Sequence, residues 1–277
     1  MSLSAPDFDY IRDLAASKAG IIIDHGKEYL IEGRLNLLVK TKGYDSLSSL
    51  MNELKRNAGY KGIHAETVEA LTINETSFFR DPPTFEYIKK SLLPFLIEKN
   101  EKSKRISIWS GASSTGQEIY SLVMLIKEHF PELGNWNIEI LATDLSRHVL
   151  SKAKQGIYTR FEVNRGLPQD LKTKYFDPIE GEAWQLREEF RSMVQFEELN
   201  LINRWPMTQT FDLILLRNVL IYFKADIKKR ILSQVKERIA PRGQLILGST
   251  ETTINVDSDW RTVGDRICAS YCLDYQN

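Results

Sequence analysis

One stretch, residues 105–127, constrains the fold more than any other part of the sequence. It opens with an apolar run around Ile108 that is typical of a buried strand. Seven small residues, 110–116, come next, and apolar residues then recur at helical spacing from Ile119 to Ile126. A strand, a turn of small residues and a helix in this order form the crevice at which open α/β sheets bind nucleotides. The stretch therefore predicts a doubly wound α/β sheet with a ligand site beside the turn.

The turn alone identifies no ligand. From this stretch alone, it could also be a tight turn between a strand and a helix that binds nothing. It lacks the GxGxxG pattern of dinucleotide sites, and no Lys follows Gly116 as in a phosphate-binding P-loop. The next predicted strand, residues 136–144, ends in Asp144, where an acid can accept hydrogen bonds from the ribose hydroxyls of a nucleoside. A small-residue turn combined with Asp144, without a phosphate cradle, favours a nucleoside such as S-adenosylmethionine over NAD.

Charge and composition exclude several classes of protein. The chain has 277 residues, of which 42% are apolar and 27% charged, as in a globular protein with one large or two modest domains. Lys and Arg (37) balance Asp and Glu (37), so a general nucleic-acid footprint is absent and no nucleic-acid partner is expected. No apolar run is long enough to span a bilayer, and the N-terminus lacks a signal-peptide pattern. We therefore expect a cytoplasmic protein without membrane insertion.

Cysteine and histidine indicate neither a disulfide nor a metal site. Cys268 and Cys272 are predicted to lie on one face of the last strand, where neighbours are poorly placed for a disulfide. The four histidines are scattered without metal-ligand spacing. We expect two core or half-buried thiols and no metal.

The hydrophobic pattern divides the chain into two domains. Residues 1–75 show four helical segments and are predicted to form a small all-α domain. Residues 76–277 are predicted to form the α/β domain, with a small inserted β-subdomain at about 174–198, where the alternation of strands and helices lapses. Strand pieces at 193–196 are assigned to this insert.

The start of the α/β domain is predicted to be a linker, residues 76–85. Pro82 and Pro83 are expected to stop any helix within this linker. A helix over residues 86–98 is predicted to follow, and Pro94 is expected to break or kink it.

Eight short motifs, taken in order, resemble those of a known family. Each is weak alone, but the series covers nearly the whole chain. The motifs are NETSFFR (74–80), WSGASSTGQEIYS (109–121), ATDLS (142–146), GIY (156–158), LPQDLKTKYF (167–176), FEELNL (196–201), FDLILLRNVLIYF (211–223) and GSTE (248–251). With them the chain resembles the CheR family of bacterial chemotaxis receptor methyltransferases.

The resemblance implies a fold, an activity and a partner. Family members have a helical N-terminal domain followed by a Rossmann-like, doubly wound methyltransferase domain with an inserted β-subdomain. They use S-adenosylmethionine to methylate glutamate side chains on chemoreceptors, so the implied partner is the cytoplasmic helical bundle of a methyl-accepting chemoreceptor. A monomer is expected. Basic residues scattered over 18–61 form either a face for this acidic partner or only a solvated helix surface.

The resemblance also implies individual site residues. Arg80 and Tyr222 are the implied catalytic pair near the transferred methyl group. Cofactor contacts are implied at Asn74, Thr76, Arg80, Gly111, Ala112, Glu118, Asp144, Asn200, Leu201, Asn218 and Val219. From the residues alone, Arg80 could instead pair with Asp81, Tyr222 could be a core residue, and Asn218 could be a strand-end turn residue.

Three positions depart from the family pattern. Members often have Glu-Glu-Pro where this chain has Gln117-Glu118-Ile119, but the second Glu is kept. The ending GSTE replaces Gly-His-Ser-Glu, so a role for that His is absent here. The insert between Phe176 and Trp184 is short and lacks the paired glycines of members that grip a receptor's C-terminal pentapeptide. This last departure argues against pentapeptide tethering.

The implied reaction is a direct in-line displacement, in which the carboxylate takes the methyl group from the sulfonium of S-adenosylmethionine and S-adenosylhomocysteine leaves as the product. A glutamate acceptor is already ionised at neutral pH, so the reaction needs no general base. Catalysis then depends on positioning and electrostatics. The fork of donors on Arg80 suits the orientation of a carboxylate of the substrate or of the cofactor, and Tyr222 could hydrogen-bond the incoming carboxylate.

Other functions remain open at this point. The same chemistry could act on the receptor of a non-chemotaxis signalling system. A non-catalytic module that senses S-adenosylmethionine and binds receptors is a second alternative, and an NAD-dependent dehydrogenase is a distant third because GxGxxG is missing.

Overall fold

The protein divides into two compact units in a computed structural model, which describes residues 3–56, 59, 62–263 and 268–273. One unit comprises Met1–Ile73 and Tyr222–Ile227, and the other comprises Asn74–Ile221 and Lys228–Asn277. Within the described ranges, no helix is both long and apolar enough to cross a membrane. The same ranges contain no group of three or more His, Cys, Asp or Glu side chains that could hold a metal ion.

The first unit is helical, as the pattern predicts. Its described helices are α1 (Ala5–Ala19), α2 (Glu28–Lys42), α3 (Leu47–Arg56) and α4 (Ile63–Leu71). Their buried apolar faces form one core, to which Ile11, Leu35 and Leu50 contribute fully buried side chains. The predicted end of α2 is confirmed, because Gly43 caps it in the left-handed conformation with φ 73°.

Many of the basic residues of this unit are engaged within it. Lys55 forms an ion pair with Asp7, and Lys42 forms one with Glu66. Arg34 donates to the backbone carbonyls of Leu71 and Thr72 at the end of α4. Exposed ion pairs of this kind contribute little free energy and can exchange partners, so a face for an acidic partner stays a prediction. Lys61 lies outside the described residues.

The second unit opens with a helical segment that differs from the prediction. It consists of α5 (Pro82–Tyr87), a π-helical turn (Ile88–Leu92) and α6 (Leu93–Asn100). Pro82 and Pro83 begin a helix here. The N–H groups of the first turn have no acceptor within a helix, so the N–H that proline lacks costs no hydrogen bond there. The π turn ends at Leu92, two residues before Pro94, and such a turn accommodates the lost hydrogen bond and the proline ring without ending the helix.

Strands and helices alternate through the rest of the second unit. The strands are β1 (Arg105–Gly111), β2 (Asn137–Asp144), β3 (Ile157–Thr159), β4 (Phe176–Ile179), β5 (Ala183–Leu186), β6 (Val194–Glu198), β7 (Phe211–Leu216), β8 (Ile239–Leu247), β9 (Trp260–Thr262) and β10 (Ser270–Leu273). The helices are α7 (Gln117–His129), α8 (Arg147–Gln155), α9 (Arg160–Asn164), α10 (Gln169–Tyr175), α11 (Glu188–Arg191) and α12 (Ala225–Arg238). The first residues of α12 fall in the other unit.

The larger sheet has the doubly wound topology that the sequence predicts. Its described strands lie in the order β6-β2-β1-β7-β8-β10-β9, and β6, β2, β1, β7 and β8 are mutually parallel. The chain runs from β1 outward to β6 and then returns to β7 on the other side of β1. The point between β1 and β7 is therefore the topological switch point, and sheets of this kind bind ligands there, outside the carboxyl ends of the strands.

The inserted β-subdomain differs from the prediction in its strands. A separate antiparallel sheet has the order β3-β5-β4, whereas β6 pairs with β2 in the larger sheet. Assigning residues 193–196 to the insert was wrong, because alternation of Val194 and Phe196 indicates a half-buried strand but not which sheet it joins. The prediction that Cys268 and Cys272 share one strand is also wrong. Cys272 lies in β10, whereas Cys268 lies before this strand begins. Neither of these two described cysteines forms a disulfide, and Cys268 is buried.

The segment after α9 packs tightly against the bridge at residues 74–81. Phe78 is fully buried, edge-on to Tyr158 and Phe176 at ring-centroid distances of 5.1 and 5.6 Å. Gly166 has φ 88°, and a Cβ there would lie 2.1 Å from the carbonyl oxygen of Phe78. Only glycine therefore fits at this contact.

Replacing Gly166 with Ala is expected to lower the free energy of unfolding by about 3 kcal/mol, because the overlap adds to the strain of a positive φ. Gly181→Ala is the matched control: its φ is 77°, but nothing lies within 4 Å of the added Cβ, so we expect a loss of about 1 kcal/mol. Urea unfolding of both variants measures the difference. Equal losses would contradict the clash.

Candidate functional site

The carboxyl ends of four parallel strands bring most of the predicted cofactor residues to one edge of the sheet. Gly111 ends β1, Asp144 ends β2, and Asn200 and Asn218 follow β6 and β7 closely. β1 and β2 pair in register up to Gly111 and Thr143, so their ends are level. Residues far apart in the sequence thus meet at the switch point of the sheet.

The small-residue turn after β1 has an unusual backbone. Ala112 and Ser114 adopt positive φ angles of 55° and 51°, and Gly116 has φ 87°. The turn is held by two backbone hydrogen bonds, from Ser113 N–H to the Thr143 carbonyl (2.9 Å) and from Gly116 N–H to the Ser113 carbonyl (3.0 Å). Strain of this kind persists only where the surroundings over-determine it, and it concentrates at functional sites.

The structure shows little space for a side chain at position 111, which the sequence alone does not reveal. A Cβ at this position would lie 2.9 Å from Leu216 Cδ1 and 3.1 Å from the Trp109 ring. A side chain at position 111 would therefore have to displace the end of the Leu216 side chain, whereas glycine fits without any shift.

Asp144, the predicted ribose acceptor, also holds the turn by hydrogen bonds. Its side chain is buried, and its two oxygens accept from different backbone N–H groups: Oδ2 from Ser114 and Oδ1 from Ser146, both at 2.9 Å. A carboxylate oxygen has two lone pairs, so each oxygen can accept a further hydrogen bond. Asp144 thus joins the β1 turn to the start of α8, where Ser146 is the confirmed N-cap.

The bridge at residues 74–81 lies against the turn and α7. The Asn74 carbonyl accepts from Ser114 Oγ (2.8 Å), and Phe79 N–H donates to Ser121 Oγ (2.9 Å). Arg80 Nη1 donates to the backbone carbonyl of Glu75 at 2.7 Å. Thr76 is half-buried on the same bridge. These contacts bring Asn74 to the β1 turn, and Thr76 and Arg80 lie on the same bridge.

Arg217 is the residue at this site that the sequence reasoning missed. Its side chain is 1% exposed, and Nη1 donates to Glu118 Oε2 at 2.6 Å. Nη2 donates to Asp81 Oδ2 (3.2 Å) and to the Arg80 carbonyl (3.1 Å). Asp81 therefore pairs with Arg217, and in the described part of the chain Arg80 forms no ion pair at hydrogen-bond distance. An Arg directly after the apolar run 211–216 was the available signal, because a buried guanidinium needs acids nearby.

A second missed residue, Glu251, holds the turn that carries Asn218. Glu251 is buried; its Oε2 accepts from the N–H groups of Asn218 (2.6 Å) and Gly248 (2.7 Å), and its Oε1 accepts from Ile221 N–H (3.2 Å). Asn218 has φ 57°, so it is a turn residue as well as a predicted cofactor contact. Val219 follows it and is half-buried. The motif GSTE was the signal for Glu251.

Asn200 and Leu201 lie in the loop after β6. Asn200 Oδ1 accepts from Ile202 N–H at 3.2 Å, and the carbonyl of the buried Leu201 accepts from Trp205 Nε1 at 3.2 Å. Leu199 N–H donates to the Asp144 carbonyl at 2.9 Å, which joins this loop to the end of β2. The loop is thereby ordered beside Asp144.

Tyr222 is the predicted site residue that falls in the other unit. It ends a 3-10 turn, Leu220–Tyr222, its side chain is half-buried, and its carbonyl accepts from Ile22 N–H at 3.4 Å. Its place near the transferred methyl group stays a prediction.

The polar side chains of this candidate site fit the groups of S-adenosylmethionine. Asp144 offers a carboxylate for a ribose diol, Glu118 offers one for an ammonium group, and Arg80 offers a guanidinium for a carboxylate. The buried hydroxyl of Ser113 has no hydrogen-bond partner within the described protein, so a polar ligand group can satisfy it. Asn200 and Asn218 add amide groups that suit a purine edge.

This fold and these polar side chains are typical of the class of S-adenosylmethionine-binding methyltransferases. Residues 74–267 match the family model described as the CheR methyltransferase, SAM binding domain, and residues 6–72 match the CheR methyltransferase, all-alpha domain. The chain belongs to the CheR methyltransferase family.

Similar proteins agree with this assignment. The chain is 38% identical to Chemotaxis protein methyltransferase 1 of Pseudomonas aeruginosa, covering 95% of this chain and 96% of that protein. It is 36% identical to Chemotaxis protein methyltransferase Cher2 of Pseudomonas putida with the same coverage of each chain. A solved structure of the glycopeptide N-methyltransferase MtfA complexed with (S)-adenosyl-L-methionine covers 64% of this chain and 58% of its own, at a TM-score of 0.34 and 13% identity. This last similarity is too distant to bear on the family.

Asp144→Ala is expected to weaken S-adenosylhomocysteine binding about 100-fold, because the ribose acceptor and the acceptor for Ser114 N–H are lost together. Asp144→Asn, which keeps one acceptor oxygen, should fall between. Titration calorimetry measures both, with Asp177→Ala, an exposed acid paired with Arg187, as the matched control. Unchanged affinity in Asp144→Ala would refute the assignment.

Arg217→Met is expected to lower the free energy of unfolding by about 3 kcal/mol, because Glu118 and Asp81 are left as uncompensated, poorly solvated carboxylates. The double variant with Glu118→Gln should recover part of that loss. Arg187→Met, which breaks an exposed pair with Asp177, should lose less than about 1 kcal/mol. Denaturant unfolding compares the three; equal losses for Arg217 and Arg187 would contradict a central role of the buried pair.

Proposed function

We propose that the protein is a protein-glutamate O-methyltransferase that methylates chemoreceptors and so adapts their signalling. The observation that carries this proposal is Arg80, whose guanidinium is held by a backbone carbonyl beside the cofactor residues and forms no ion pair in the described part of the chain. A guanidinium in this state suits an acceptor that brings its own carboxylate. The printed names of the relatives, chemotaxis protein methyltransferases, support a chemotaxis role.

The residues of the chain would act by binding and orientation. Bound S-adenosylmethionine supplies a methyl group activated on a sulfonium. Asp144 would hold the ribose, and Glu118, itself fixed by Arg217, would hold the amino-acid end. Arg80 would orient the acceptor carboxylate, and Tyr222 would hydrogen-bond it. No residue needs to act as a general base, because the acceptor is ionised at neutral pH.

We propose that the acceptor is the cytoplasmic helical bundle of a methyl-accepting chemoreceptor, and that the protein acts in the cytoplasm as a monomer. An acceptor in another signalling system remains the alternative with the same chemistry. A non-catalytic sensor is disfavoured by the intact Arg80 and Tyr222.

The experiment that tests the cofactor is titration calorimetry with S-adenosylhomocysteine, and NAD serves as the control ligand. Micromolar binding of the first and no binding of the second are expected. Absence of binding by S-adenosylhomocysteine would overturn the proposal. Transfer of a radiolabelled methyl group to a purified chemoreceptor fragment then tests the acceptor.

Arg80→Ala is expected to lower methyl transfer to such a fragment at least about 100-fold, because the acceptor carboxylate loses its fork of donors. The thermal midpoint should stay unchanged, since the half-exposed side chain donates only to the Glu75 carbonyl in the described contacts. Arg80→Lys keeps the charge without the fork and should be intermediate. Turnover retained by Arg80→Ala would contradict the role.

A further inference from the structure

A second arginine lies beside Arg80 at the bridge. Arg165 Nη2 forms an ion pair with Glu75 Oε1 at 2.5 Å, and Arg80 Nη1 holds the backbone carbonyl of the same Glu75. Two guanidiniums therefore flank one glutamate, one on its side chain and one on its backbone.

The backbone at Arg165 is fixed, although its side chain is not buried. Arg165 follows α9 directly, and the next residue, Gly166, is pressed against the Phe78 carbonyl so closely that no Cβ fits. Leu167 is buried after it. The guanidinium is thus presented from an anchored segment to a position beside the bridge.

The pair itself is open to solvent. The side chains of Arg165 and Glu75 are 48% and 58% exposed. The pKa of the Glu75 carboxyl is lowered, first by the hydrogen bond and charge of Arg165 and then by the charge of Arg80, so both guanidiniums act on this carboxylate. An exposed pair contributes little net free energy, and another carboxylate can therefore take the place of Glu75 with little loss.

An exposed aromatic ring lies one helical turn before Arg165. Phe161 is 75% exposed on α9, and the neighbouring Arg160 is also exposed. Arg165 is the extended residue that caps the end of α9, four residues after Phe161, so one short segment carries an exposed apolar side chain and an exposed cationic side chain. An acidic amphipathic helix complements this combination in both charge and polarity.

We propose that Arg165 is a substrate-binding residue, which exchanges Glu75 for an acidic side chain of the acceptor helix other than the one methylated. Glu75 holds the guanidinium in place until the acceptor arrives, and Phe161 contacts the apolar side of that helix. The inference rests on the proposed function, since an acidic receptor helix is the occupant.

The test compares opposite ends of the pair. Binding of a fluorescently labelled chemoreceptor cytoplasmic fragment is measured by anisotropy, and the KM for its methylation is measured alongside. The variants are Arg165→Ala and Glu75→Gln. Arg105→Ala is the matched control, because Arg105 forms an equally exposed pair with Glu139 (52% and 43%) at the start of β1, the opposite end of that strand from the site. Calorimetry with S-adenosylhomocysteine accompanies each variant.

The exchange predicts effects of opposite sign. Arg165→Ala should raise the dissociation constant and the KM about tenfold, because a charge-assisted contact is lost. Glu75→Gln should lower both about two- to fivefold, because the competing carboxylate is gone. Arg105→Ala should change neither, and the affinity for S-adenosylhomocysteine should stay constant throughout.

Several results would overturn the inference. If Glu75→Gln weakens fragment binding as Arg165→Ala does, the pair only shapes the bridge. Unchanged binding in Arg165→Ala, or a tenfold loss of S-adenosylhomocysteine affinity in that variant, would also refute it. A wild-type protein that binds S-adenosylhomocysteine but not the fragment would contradict the receptor acceptor as well, which distinguishes that failure from failure of the exchange alone.

Discussion

The architecture of the site depends on one buried guanidinium. Arg217, at the end of β7, neutralises Glu118 on α7 and Asp81 at the start of α5, and it also holds the Arg80 carbonyl. Two carboxylates converge at the same edge of the sheet, and without a cation between them they would repel each other in a poorly solvated place. Because it pairs with both carboxylates, Arg217 joins β7, α7 and the bridge at residues 74–81.

Two buried carboxylates hold the loops of the site by accepting hydrogen bonds from backbone N–H groups. Asp144 accepts from two backbone N–H groups and Glu251 from three, and the segments they hold include Ser114 and Asn218, both at positive φ. Such conformations cost about 1–3 kcal/mol each, and charge-assisted hydrogen bonds can offset that. The acids of the site therefore shape the loops that carry the predicted ligand contacts.

Sequence patterns predicted elements well and their partners less well. The strand, turn and helix at residues 105–127, the strand ending in Asp144 and the N-cap Ser146 are all present. The pattern predicts that Pro82 stops a helix, but Pro82 begins α5, because a proline is compatible with either the end of one helix or the first turn of the next. The strand at residues 193–196 was recognised, but its sheet was not.

The sequence by itself determined the periodicities, the capping residues and the order of eight motifs, and with them the family and the cofactor. These signals are local, because helix and strand periods and cap chemistry extend over only a few residues. Only the tertiary structure decided that Arg217 pairs with Glu118, 99 residues away, and that Gly111 lies closely against the side chain of Leu216. It also decided that β6 joins the larger sheet. Such contacts follow from how distant segments meet, and a one-dimensional pattern does not specify which buried charge finds which partner.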